Sequence, residues 1–162
     1  MPYPLVEREW RRLLARLRQQ GVQRTCADVV QLIEGGPYPL ALTIRLVEFL
    51  LERRHYGAAG AIIKAVDESG AAHPLFDKLH SSWLWCIGEQ RAAVAFALKS
   101  AKHWHKSYLA HHVGTLYRCM ADRQKSDYYR KKSDYYWGHA HSLAQQEEAD
   151  KPKKGGNKRG CR

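Results

Sequence analysis

The stretch KSDYYRKKSDYY, residues 125–136, writes Lys-Ser-Asp-Tyr-Tyr twice, seven residues apart. Seven residues are close to two turns of an α-helix, about 20° short of full register. Read as helix, the stretch sets Lys125 over Lys132, Ser126 over Ser133 and each tyrosine over its copy. One stripe then carries Ser126, Tyr129, Ser133 and Tyr136; another carries Lys125, Tyr128, Lys132 and Tyr135. The first alternates small and large, as a face packed on a neighbouring helix does. The second is aromatic and basic, and it needs water, a partner or a phosphate.

Outward from this stretch the signals stay helical. No run alternates cleanly between apolar and polar, and no Asn-Gly or Asp-Gly joins β-branched stretches. Pro4 can open a helix whose Trp10, Leu13, Leu14 and Leu17 keep i, i+3, i+4, i+7 spacing, and Gly21 closes it. Thr25 and Asp28 read as a variant capping box for a second helix over 25–34. The GGPYP run at 35–39 is a hard break. Further helical segments are predicted at 40–54, 56–69, 74–87, 90–104, 107–121 and 123–142, with Pro74 well placed at a helix start. Short links make consecutive helices antiparallel neighbours. The expectation is an all-α chain of about eight helices in four hairpins.

At 162 residues the chain is long enough to bury its own core. Its net charge of +11 makes a polyanionic partner worth considering. Six of those charges, Lys151, Lys153, Lys154, Lys158, Arg159 and Arg162, stand in the last twelve residues without an acid. That run lacks apolar residues to bury, so 143–162 is expected to be a basic disordered tail. Cys26, Cys86, Cys119 and Cys161 form no Cys-x-x-Cys. The opening MPYPLVEREWRRLL has charges where a secretion signal has an apolar core, and free thiols in the cytoplasm are the expectation. No apolar run approaches the roughly 20 residues of a membrane-spanning helix.

The sequence also repeats over longer distances. A shift of 33 residues lays Leu84 on Tyr117, Cys86 on Cys119, Ala93 on Ser126, Lys99 on Lys132 and Ser100 on Ser133; a shift of 34 lays Ala59 on Ala93 and Val66 on Ser100. The Val113-Gly114-x-x-Tyr117 run, with Ser126 and Ser133 as two small positions, resembles the tetratricopeptide repeat, a 34-residue helix-turn-helix unit. Ala93 and Ser100 hold the small positions in a second copy, Ala59 and Val66 in a first. The first two copies carry Val47 and Ser81 in place of the repeat's glycine, and its closing proline is absent from all three. A generic helical bundle with a chance 33-residue match is the competing reading. The resemblance implies a right-handed stack of antiparallel helix pairs, a short α-solenoid, over 40–142, with 1–35 as an N-terminal hairpin or cap.

Catalytic signatures are missing. There is no Gly-x-Ser-x-Gly, no phosphate-binding Gly-rich loop and no dinucleotide fingerprint, and Gly57-Ala58-Ala59-Gly60 reads as a close-packing segment. Asp67, Glu68, Glu147 and Glu148 read as solvated acids. Among nine histidines, 103/105 and 139/141 stand two apart, which points their rings to opposite sides of a helix. No enzyme activity, metal or cofactor is expected.

What remains is binding. The resemblance implies a concave groove lined by the first helix of each pair, here Lys78, Ser82, Trp85, Tyr108, His111, Thr115 and Arg118, with Glu48 and Glu52 on the same surface. That makes a protein-interaction adaptor taking a protein or peptide partner, with no membrane, the leading expectation. The alternative is a small basic subunit that holds RNA or DNA. No acid occurs from Gln90 to Ala121. Lys99, Lys102 and Lys106 there, with Lys125, Tyr128, Lys132 and Tyr135, could hold phosphates and stack bases. A solvated lysine-rich face is the plainer account of the same residues.

Overall fold

The computed structural model describes residues 3–36 and 38–151. Among the described residues there are eight α-helices and no strand: α1 (Tyr3–Gln20), α2 (Val22–Glu34), α3 (Leu40–Glu52), α4 (Tyr56–Glu68), α5 (Pro74–Cys86), α6 (Gln90–Trp104), α7 (Ser107–Gln124) and α8 (Asp127–Ala149). No helix among them is long and apolar enough to cross a membrane. The chain divides into two compact units, Met1–His103 and Trp104–Arg162.

In the first unit the helices stack in chain order. α1, α3 and α5 pack in one row, α2 packs on α1 and α4, and α4 packs on α3 and α5. The core between the rows is Val29, Leu46, Val47, Leu50, Ile62, Ile63, Val66 and Phe76. Each such side chain contributes about 1.5–3 kcal/mol when fully buried. The α1 stripe behaves as its spacing predicts, with Leu13 and Leu17 buried and Trp10 and Leu14 packed beside them. Glu7 of α1 accepts from the Arg45 guanidinium of α3 at 2.8 Å, which holds its carboxyl below the ordinary range.

One expected cap fails. α2 begins at Val22, three residues early, because Gly21 takes φ 82°, a left-handed value that glycine adopts without strain. Thr25 therefore lies inside the helix, fully buried with its Oγ1 unpartnered, and Asp28 pairs with Arg16 of α1 instead of closing a box. The Pro74 start holds: the preceding His73 accepts the Leu75 N–H on its Nδ1 at 3.1 Å.

Close approach explains the small residues of α4 to α6. Ala59, Val66, Ala93 and Ser100 are all buried. A Cβ added to Gly60 would lie 2.6 Å from the Trp83 ring, whose Nε1 donates to the Tyr56 carbonyl at 2.9 Å. Ser81 and Ser100 tie α5 to α6, donating to the Ala93 carbonyl at 3.1 Å and to Asp77 Oδ2 at 2.8 Å.

The second unit is the α7–α8 hairpin, and here the doubled phrase reads differently from its sequence expectation. α7 has 18 residues where α3 and α5 have 13, so it carries the turn forward to Lys125. Lys125 caps α7 in the left-handed conformation (φ 48°, ψ 41°), and Ser126 is the N-cap of α8. Lys125 and Ser126 thus do not stand over Lys132 and Ser133 in one helix. The seven-residue register holds only from Asp127 onward. Ser133 is fully buried as a small packing position, while Ser126 is half-buried in the turn.

α8 also runs past its expected end at 142 to Ala149, so 143–149 are helical and not part of a disordered tail. Glu147 supplies a reason: its carboxylate accepts the Ser107 backbone N–H at 3.1 Å and the Ser107 hydroxyl at 2.7 Å. The N–H groups that begin α7 need such an acceptor, and a negative charge is favoured there. Those same bonds hold the Glu147 carboxyl below its ordinary range, so it is a partnered acid. The remainder of the expected tail, 152–162, lies outside the described residues.

Candidate functional site

Four of the seven expected groove residues share α7. Tyr108, His111, Thr115 and Arg118 recur at three- and four-residue steps, which sets them along one side of that helix. Thr115 donates to the His111 carbonyl at 3.0 Å, and Arg118 pairs with Asp122 at 3.4 Å. At its N-terminal end this row opens into a cleft of about 430 Å³ between α7 and α8, lined by Ser107, Tyr108, His111, Trp137, Ala140, His141 and Ala144. The His111 ring lies parallel to the Trp137 indole at 6.2 Å, with 27° between planes. Trp137 is fixed from behind, since a Cβ on Gly114 would lie 2.4 Å from its Cδ1. Its indole N–H is buried there without a hydrogen-bond acceptor.

Lys78, Ser82 and Trp85 belong to α5 in the first unit, again at helical spacing, with Ser82 donating to the Lys78 carbonyl at 2.9 Å. They form a row of their own and do not line the α7–α8 cleft. Glu48 and Glu52 are exposed on α3. Of the residues considered for nucleic acid, Lys99 and Lys102 are exposed on α6, and Lys106 is the exposed N-cap of α7.

The aromatic face of α8 is built in two tiers. Tyr117 of α7 stacks on Tyr129 (6.1 Å, 22°) and on Tyr136 (5.8 Å, 18°), so one ring engages both copies of the phrase. Tyr128 and Tyr135 stand outside this stack, 62% and 65% exposed. Each outer ring meets its inner neighbour edge-on, Tyr128 on Tyr129 at 5.3 Å and Tyr135 on Tyr136 at 5.1 Å. Lys132 Nζ lies 5.8 Å from the centre of the Tyr128 ring, and His139 stacks beside Tyr135 at 6.4 Å.

Three features escape sequence reading. Trp137, Ala140 and Ala144 line the cleft at i, i+3, i+7, a spacing that signals one face but not what opposes it. In the first unit, His80 Nδ1 lies 3.2 Å from Asp67 Oδ2, near enough for an ion pair but not aligned as a hydrogen bond. The His80 ring is covered by Phe96 at 4.3 Å and Trp83 at 5.8 Å. Burial pushes its pKa down against the pull of Asp67 and Asp77, and burial pushes Asp67 up. Asp67 is therefore a partnered acid. A wider cleft of about 780 Å³ lies where the starts of α2 and α4 meet, with Arg24, Arg54, His55 and Tyr56 in its wall. Its residues come from two turns too far apart in sequence to be paired by spacing.

Thiol chemistry divides by burial. Cys26 is buried and its pKa is pushed up to about 11, whereas Cys86 is exposed. Among the described residues no three of His, Cys, Asp and Glu come together as a ligand set. Comparison with protein-family models, with curated proteins and with solved structures finds no match to this chain.

Proposed function

We propose that this chain is a non-catalytic interaction adaptor of tetratricopeptide-like architecture that takes up a peptide segment of a protein partner along α7. The supporting observation is the coincidence of the expected groove row with a real concavity: Tyr108 and His111 are at once members of that row and walls of the α7–α8 cleft. A cleft of about 430 Å³ with aromatic walls and two alanines admits one large side chain of a partner. A buried aromatic anchor is the composition that dominates binding energy at protein interfaces, and the Tyr108 and Trp137 walls can pack against one. The free thiols Cys26, Cys86 and Cys119 suit a reducing, cytoplasmic setting.

The test uses a displayed library of random peptides selected on the intact chain. Ala144 lines the cleft and is otherwise exposed, so Ala144→Trp fills the space without disturbing the core. Selected peptides should bind the unaltered protein and lose at least about tenfold in affinity for Ala144→Trp and for Tyr108→Ala, with unchanged circular dichroism. Peptides that bind both variants as well as the original would overturn the proposal, and so would a selection that enriches nothing.

A further inference from the structure

The adaptor reading leaves the outer face of α8 unused. Tyr128, Lys132, Tyr135 and His139 follow one another at four, three and four residues, which places them on one face, and Lys131 is exposed beside them. The stretch contains no acid at those positions. Of its two neighbouring acids, Asp127 is engaged by Arg130 at 3.3 Å, and Asp134, exposed, stands beside Tyr135 against the charges of Lys131 and Lys132. At 62% and 65% exposure, Tyr128 and Tyr135 are not desolvated as the anchors of a protein hot spot are. Each ring has an aromatic neighbour. Tyr117 clamps Tyr129 and Tyr136, and these two buttress Tyr128 and Tyr135 edge-on at 68° and 88°. The hairpin presents two solvated aromatic rings in repeated settings with cations beside them.

We infer that this face binds single-stranded nucleic acid, with Tyr128 and Tyr135 stacking on bases and Lys131 and Lys132 meeting the phosphates between them. Seven residues of helix separate the two rings by about 10 Å. A single strand spans that distance in a few nucleotides, so alternate contacts to base and backbone are within reach. Stacking asks only for a π-face, which every base has, and binding is expected to be tolerant of sequence. The surface is separate from the peptide cleft, and the inference stands whether or not that cleft takes a peptide.

The test is fluorescence anisotropy of the full chain with labelled single-stranded DNA and RNA of roughly 12 nucleotides, a length typical of single-strand sites. Tyr128→Ser with Tyr135→Ser should weaken binding by about tenfold per ring and leave helicity and the salt slope unchanged, because both positions are exposed. Lys131→Gln with Lys132→Gln should make the slope of log K against log salt shallower by about 1.4, at roughly 0.7 per phosphate contact. Truncation before Lys151 removes six positive charges; affinity should fall, but the loss caused by the tyrosine changes should persist. The inference is overturned if the unaltered chain does not bind. It is equally overturned if the tyrosine substitutions have no effect, or if duplex DNA or poly-glutamate binds as tightly as the single strand.

Discussion

The indole of Trp137 fills the space where Gly114 lacks a side chain: a Cβ there would sit 2.4 Å from Cδ1 and 2.7 Å from Nε1. The glycine in α7 is thus a socket for an aromatic ring on α8. Replacing glycine by alanine inside a helix ordinarily stabilises by roughly 0.5–1 kcal/mol. Overpacking against a ring costs roughly 1–3 kcal/mol. At Gly114 the second effect should win, so Gly114→Ala lowers the melting temperature. Gly138 on α8 has no neighbour within 4 Å, and Gly138→Ala should raise it. Paired thermal melts of the two variants measure the difference directly.

Ser133 is fully buried and its hydroxyl has no hydrogen-bond partner. An unsatisfied buried hydroxyl costs about 1–3 kcal/mol. Ser133→Ala should therefore hold or raise stability, whereas Ser133→Trp should loosen the hairpin by roughly 1–3 kcal/mol or more through overpacking. Tyr128→Ser, on the solvated side of α8, should leave the urea midpoint nearly unchanged. The inner and outer faces of the doubled phrase would have to be exchanged if Tyr128→Ser proved the damaging change.

Lys125 sits in the left-handed region that closes α7, with φ 48°. That conformation costs a residue with a Cβ roughly 1–2 kcal/mol, which glycine avoids. Lys125→Gly should raise the urea midpoint. Arg54→Gly and His105→Gly, at φ 61° and 49°, should do the same.

His80 gives the fold a pH dependence. Its pKa is depressed in the folded chain by burial under Phe96 and Trp83, with Asp67 and Asp77 opposing that shift. A depressed histidine favours the neutral form, so its contribution is full above about pH 6.5, the unfolded value, and declines as pH falls toward the folded value. Asp67, raised by burial, acts in the opposite sense from the ordinary aspartate value upward. Between pH 7 and 5.5 the melting temperature should fall, and His80→Phe should flatten that fall. A pH profile unchanged by the substitution would show that other groups set it.

Periodicity and breakers made the helices legible: α6 runs from Gln90 to Trp104 as its segment predicts, and Gly21, Pro39 and Pro74 mark real boundaries. The small positions Ala59, Ala93, Ser100 and Ser133 were legible because close packing leaves a compositional trace. The turn at Lys125 was not. It uses no glycine or proline: Lys125 itself takes the left-handed backbone that closes α7. Nor could spacing show the far end of α8, since Glu147 is held by a residue 40 positions earlier. For the site, the α7 row could be read from helical spacing. Its depth could not, because Trp137 owes its place to a missing side chain on another helix.

The Ser107–Glu147 clasp has a mechanical consequence. It joins the first turn of α7 to the last turn of α8, the two ends of the hairpin farthest from the Lys125 turn. A force applied across those two ends would peel the helices apart one contact after another, and the clasp would be the first to carry the load. While it holds, the tyrosine stack near the turn is shielded from tension; once it parts, the helices can separate progressively toward Tyr117. The first resistance to unzipping thus rests on a carboxylate, and acidification would lower the force at which the hairpin begins to open.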